Sequence, residues 1–149
     1  MKSMTIFLFG VCLAFSAIAA ENGMVVKASK YSVAETVDRF ETEAKAKGFM
    51  IVARVDHAAA AEKAGMKMPA TQLLIFGNPK GGTPLMLASP TTGIDLPLKA
   101  LAYEDAEGKI WLAYNTADYL KSRHNISGKD EAIGNVNKAL DSIAAKAIE

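Results

Sequence analysis

The sequence predicts an α+β two-layer sandwich: a mainly antiparallel sheet in β-α-β4-α order with its long helices on one face. Three observations carry that reading. Four strand-like stretches follow the first helix, and the last two are joined by a turn too short for parallel winding. Two long segments, one near each end, carry a single apolar stripe at helical spacing. Such stripes must be buried against a second layer, most simply one face of the sheet.

The elements follow in order. Met24-Val25-Val26-Lys27-Ala28 is a short apolar run and the first expected strand. Ser32-Val33-Ala34-Glu35 matches a capping box, a serine at the cap with a glutamate three residues on. Val33, Val37, Phe40 and Ala44 then recur on one helical face, and Gly48 stands where a positive φ ends a helix, so the helix is expected over about 33–47. From Phe49 to Val55 the pattern alternates: Phe49, Ile51, Ala53 and Val55 are expected on one strand face and Arg54 on the other. The alanine-rich segment 58–64 is helix-prone and Gly65 ends it. Leu73 to Phe76 is apolar on both faces, as a central strand is, and Gly77-Asn78-Pro79 terminates it.

In the connection that follows, Gly81-Gly82 is expected to turn the chain, with Thr83-Pro84 capping and starting a helix continued by Leu85, Met86 and Leu87. Ala100–Glu104 and Ile110–Tyr114 are two more strands. Asp105-Ala106-Glu107-Gly108 between them reads as a hairpin turn with Gly108 at positive φ. Thr116 can cap a short helix through Tyr119 and Leu120. The last helix opens at 127–130 and carries Ile133, Val136, Leu140, Ile143 and Ala147 along one face.

Composition narrows the rest. The chain has 149 residues, 50% of them apolar and 22% charged, an ordinary globular balance for one domain. Lys2, the apolar run from Ile6 to Phe15 and the small-x-small Ala17-Ile18-Ala19 read as a secretory signal peptide over 1–19, leaving a single domain over 20–149. The apolar run is short for a membrane span, so no stable span is expected after cleavage. A secreted, periplasmic location follows. The formal net charge is +1, and Lys2 leaves with the signal, so nothing electrostatic favours nucleic acid. Cys12 is the only cysteine and also leaves, which excludes a disulfide, a thiolate metal site and a cysteine nucleophile.

The stretches LLIFGNPKGGTPLM, GIDLPLKALAYEDAEGKIWLAYN and DYLKSRH, with DHAAAAEKAG upstream, resemble the domain of unknown function 302 family over about residues 27–147. The resemblance implies the TATA-box-binding-protein-like class of β-α-β4-α sandwiches and a homodimer. It implies no reaction, since the family has none established, so mechanism must come from the residues.

Few residues could carry chemistry. Lys80, Gly81, Gly82 and the Thr83 cap could cradle an anion, but the P-loop ending is missing and a tight connection explains every residue. Asn78 and Lys80 are expected ligand contacts, together with Asp56, His57, Asp95, Lys99, Tyr103 and Tyr114. Asp56 and His57 follow a strand end, where a carboxylate could orient an imidazole for proton transfer; strand alternation can separate them, and Asp56 serves equally as a helix cap. The Asp-His pair also fits the family pattern. Asp95 of the Asp-Leu-Pro-Leu-Lys signature is expected to bond a turn, and Lys99 to pair with Asp95 or Glu104. His57 with Met66 and Met68 would make a copper(I) site of soft thioethers and an imidazole, against which the methionines are ordinary apolar residues. His124, at a helix end, is expected in solvent, and no hydroxyl–imidazole–carboxylate triad stands out. Tyr103 and Tyr114 belong to an aromatic group that could fill the core, line a cavity or build a dimer face.

The expected function is a small binding or scaffold module without established catalysis, a homodimer holding an apolar ligand at the sheet–helix cleft and needing no cofactor. The alternative is an enzyme using Asp56, His57 and Lys99; copper binding is third.

Overall fold

The computed structural model describes residues 18–19 and 22–149, so most of the expected signal peptide lies outside the described residues. The elements are β1 (Ile18–Ala19), β2 (Met24–Ser29), α1 (Val33–Ala46), β3 (Met50–Asp56), α2 (His57–Lys63), β4 (Thr71–Gly77), α3 (Pro79–Ala88), a 3₁₀ turn (Pro90–Ile94), β5 (Leu98–Glu104), β6 (Ile110–Asn115), α4 (Ala117–Arg123) and α5 (Asp130–Ile148). Five strands form an antiparallel sheet in the order β2-β6-β5-β4-β3, and the two-residue β1 pairs with the outer edge of β2. The long helices α1 and α5 pack on one face, as the amphipathic stripes require.

Those stripes are the core. Val37, Phe40, Leu140 and Ile143 are at most 2% exposed, and they meet Leu74, Phe76, Ala100, Ala102, Leu112 and Tyr114 from the sheet. Ser32 caps α1 by accepting from the Glu35 N–H at 3.2 Å, which satisfies one of the free donors of the first turn. The two helices are also tied at their ends. Arg39 donates to the carbonyls of Ala147, Lys146 and Glu149, and Lys146 Nζ reaches Glu43 at 2.9 Å.

Two local expectations are corrected. In β3 the simple alternation breaks, because the register shifts between Ile51 and Ala53. One extra residue in a strand turns the side chains beyond it to the opposite face. Ile51 therefore packs on the core, whereas Ala53 and Val55 pair with Ile75 and Leu73 on the helix-free face. Arg54 points instead toward α1, where it reaches Asp38 and the Ala34 carbonyl. In α3 the helix starts four residues before Thr83. Asn78 is the cap, its Oδ1 accepting from the Lys80 N–H at 2.9 Å, and Pro79 takes the first helical position. Asn-Pro is a strong helix start, since the side chain accepts an orphan N–H and proline has none to lose. Gly81 and Gly82 are thus helical, and Pro84 lies inside the helix. A Cβ on Gly82 would stand 3.3 Å from Leu96 Cδ1, so this glycine sets the approach of α3 to that loop.

The β5–β6 hairpin forms as expected, with Gly108 at φ +78°. Asp105 organises it: one carboxylate oxygen accepts the Glu107 and Lys109 N–H groups, and the other accepts Trp111 Nε1–H at 2.6 Å. The indole bond above all, then the Lys109 N–H, holds the Asp105 carboxyl below the usual aspartate range. A depressed acid contributes stability above its unfolded pKa and loses it as pH falls through the folded one. Trp111 is the single tryptophan. Its fluorescence should therefore titrate with a midpoint below the usual aspartate value, and Asp105→Asn should remove the step. A midpoint at or above the usual value would count against the bond.

Candidate functional site

An apolar cleft of about 580 Å³ opens where the start of β3, α3, the Leu96–Leu98 segment and α5 come together. Phe49 and Met50 enter it from β3, Leu85 and Met86 from α3, and Val136 and Ala139 from α5. Three features of the sequence build this hollow. The β3 bulge leaves Met50 and Val52 exposed at its rim, the Asn78-Pro79 start swings α3 across the sheet end, and the α5 stripe supplies its apolar wall. Asn78 also donates from Nδ2 to the Gly48 carbonyl at 3.1 Å, locking the α3 start onto the α1–β3 turn.

The cleft contains two cations, Lys47 and Lys80, and no acidic residue. Neither ammonium has a carboxylate partner among the described residues. An apolar hollow of this size with a few polar groups at its edge has the form of a small-molecule site. Of the residues singled out in the sequence, Asn78, Lys80, Gly81, Gly82 and Thr83 line it.

The others lie elsewhere. Asp56 caps α2, its Oδ1 accepting from the Ala59 N–H at 2.9 Å and its Oδ2 from Gln72 Nε2 at 2.9 Å. The Ala59 bond chiefly holds its carboxyl below the usual range. His57 is the exposed first residue of α2. Met66 and Met68 are 61% and 42% exposed, and no group of three histidine, cysteine, aspartate or glutamate residues is placed to hold a metal among the described residues. Lys99 pairs with Ile75 on the helix-free face, whereas Asp56 pairs with Gln72, two residues from core-facing Leu74 and so on its face. Strand alternation therefore puts Asp56 and Lys99 on opposite faces. Tyr103 and Tyr114 are divided in the same way. Tyr103 sits opposite Trp111 on the helix-free face, while Tyr114 is buried against α5, its hydroxyl donating to Asp141 at 2.8 Å. Burial first, then Asp141, pushes the Tyr114 phenol well above its usual range.

A second constellation runs through Asp95 and corrects the expectation for His124. This histidine is 7% exposed, and it links two elements far apart in the chain. Its Nε2 lies 2.6 Å from Asp95 Oδ2 and its Nδ1 3.0 Å from Thr91 Oγ1. Ser89 Oγ stands 3.2 Å from that Thr91 oxygen. Arg123 Nε lies 3.4 Å from Asp95 Oδ2, and Lys99 Nζ donates to the Asp95 carbonyl at 2.8 Å. Lys99 thus meets Asp95 through its backbone. The carboxylate of Asp95, expected on a turn backbone, goes to the imidazole instead. The available sequence signal was an aspartate in the 3₁₀–β5 connection and a histidine capping α4; nothing in their spacing shows that these two ends pack together.

Comparison with known proteins places this architecture. Residues 25–143 match the family model described as "Domain of unknown function DUF302". The fold is similar to the crystal structure of an uncharacterized conserved protein DUF302 from Bacillus stearothermophilus, with a TM-score of 0.75 over 84% of this chain and 98% of that one, at 17% sequence identity. By sequence, the chain is 47% identical over 106 residues, 71% of its length, to a protein named fluoride-specific ion channel FluC 1 from Brucella suis biovar 1 (strain 1330), of which it covers 42%. The same identity and extent hold for the Brucella abortus biovar 1 (strain 9-941) protein of that name, of which it covers 39%. The chain spans about two fifths of the length of these curated relatives.

Proposed function

The chain belongs to the family of the domain of unknown function DUF302, and from that premise we propose that it is a small periplasmic binding module whose cleft takes an apolar ligand with an anionic end. The single observation behind this reading is the composition of the cleft: an apolar wall with Lys47 and Lys80, and no carboxylate. Apolar burial supplies the affinity and the cations favour a negative end. The signal-like residues 1–19 support the location.

The channel name of the Brucella proteins belongs to chains more than twice as long as the matched segment. No described helix of this chain is long and apolar enough to cross a membrane. In this reading the shared segment is a module accompanying the remainder of those proteins, with a ligand of its own.

A homodimer is the second part of the proposal. The sheet face opposite α1 and α5 carries Leu73, Ile75, Leu101, Tyr103 and Trp111, all half-buried. An apolar sheet face of that kind is suited to a second copy.

Native mass spectrometry of protein isolated from its own periplasm tests both parts, through the dimer mass and any retained small molecule. The cleft is tested directly with anilinonaphthalene sulfonate, an apolar dye with one negative charge. Saturable binding is expected, and Ala139→Trp, which fills the cleft from α5, should weaken it at least about tenfold. Equal dye affinity in the variant would remove the cleft from the proposal.

A further inference from the structure

We propose that Thr91 is an activated nucleophile, with His124 its general base and Asp95 the group that orients that base, and that its substrates are small activated esters. The site is distinct from the cleft and does not rest on it.

With Asp95 ionised and the His124 ring neutral, as a general base requires, the hydrogen bonds set the proton positions. An ionised carboxylate only accepts, so the 2.6 Å contact requires Asp95 Oδ2 to accept from a protonated Nε2. In the neutral ring Nδ1 then carries a lone pair, and the only described group against it is the Thr91 hydroxyl at 3.0 Å. Thr91 must donate its single proton there. The 3.2 Å contact between Ser89 and Thr91 must therefore run from the Ser89 hydroxyl to the Thr91 oxygen. The result is a directed chain, Ser89 to Thr91 to His124 to Asp95, with the acceptor carboxylate at its end. Nucleophile, base and orienting acid within hydrogen-bond reach are the geometric signature of an activated hydroxyl, which is recognised by roles rather than chain order.

Exposure suits those roles. The His124 side chain is 4% exposed and that of Asp95 18%, so base and orienting acid are held in the protein. Thr91 lies on the surface-exposed 3₁₀ turn, where an ester can reach it. In the step itself, Thr91 Oγ1 attacks the ester carbonyl carbon while its proton passes to His124 Nδ1. The new Oγ1–C bond forms, the bond to the alkoxide breaks, and the alcohol departs with that proton. Asp95 stabilises the transient imidazolium through Nε2–H. Water, deprotonated by the same nitrogen, then attacks the acyl-threonine and releases the acid, restoring the Thr91 hydroxyl. Ester and water become acid and alcohol, with no other reactant.

The experiment is acetylation of the full chain by p-nitrophenyl acetate, mapped by peptide mass spectrometry and timed by nitrophenol release. An acetyl group on Thr91 is expected. Thr91→Ser should keep the modification and Thr91→Val, on an exposed position, should remove it. His124→Gln should slow it about 100-fold or more, the usual loss when a general base is removed. Asp95→Asn should slow it while circular dichroism and the Thr91→Ser site stay intact, as expected of a positioning residue. Acetylation confined to lysines, or a Thr91 rate indifferent to His124→Gln in a folded variant, would overturn the proposal and leave the chain of bonds as a structural tie.

Discussion

Phe76→Ala should destabilise the protein by about 3–5 kcal/mol, the range for emptying a buried aromatic site. Phe76 is fully buried near the end of β4, and its ring is met edge-on from both sides. Phe40 of α1 stands 5.2 Å away at 65°, and Phe49, before β3, 5.4 Å away at 72°. Edge-to-face contacts add to area burial, because the positive ring edge meets a negative ring face. Alanine would forfeit both contacts and leave a void that α1 cannot close, since Arg39 and Lys146 hold it to α5. Denaturant unfolding should show a lower midpoint with an unchanged slope. A loss below about 1 kcal/mol would mean that the layers collapse freely onto the space, contrary to the close packing of interiors. Phe49 also lines the cleft, so the same variant should weaken dye binding.

His124→Ala should cost about 1–3 kcal/mol, independently of any chemistry at Thr91, because it leaves a mostly buried carboxylate without its main partner. Asp95 would keep only Arg123 at 3.4 Å, and that guanidinium is itself half in solvent. Adding Asp95→Leu to His124→Ala should restore part of the loss, since no charge then remains to be desolvated. Non-additivity in that double-mutant cycle is the measurement. Additive losses would show that the imidazole and carboxylate are not energetically coupled, despite the 2.6 Å between them.

The elements of this fold were largely legible in the chain. Ser32 and Glu35, Thr116, and the glycines at 48, 65 and 108 sit where caps and turns require them, because those signals act within a few residues. The failures were local conflicts. The bulge at β3 is invisible to a period-two pattern, because Val52 is as apolar as its neighbours and only pairing with β4 reveals the extra residue. In the 78–88 segment two start signals competed, Asn78-Pro79 and Thr83-Pro84, and the glycines favoured the wrong one. Asn78 prevails because its side chain makes two bonds at once, to the Lys80 N–H and to the Gly48 carbonyl on a different turn.

The candidate sites were legible only in fragments. Asn78 and Lys80 were found without the apolar wall that gives them a setting, and Asp95 without the histidine that it holds. Asp56 and His57 drew notice because they are adjacent, yet Asp56 is occupied as a cap and His57 stands exposed beyond it.

By itself the amino-acid order determined the two apolar stripes, the β-α-β4-α succession of elements with an antiparallel sheet, and the family, because side-chain period, capping and turn chemistry operate over a few residues and repeat along each element. Only the tertiary structure decided that a cleft with two cations forms between β3, α3 and α5, and that Ser89, Thr91, Asp95 and His124 become one chain of hydrogen bonds. Those outcomes depend on how segments far apart in sequence pack. A hydrogen bond needs its partners within about 3 Å, and no periodicity along the chain carries that distance.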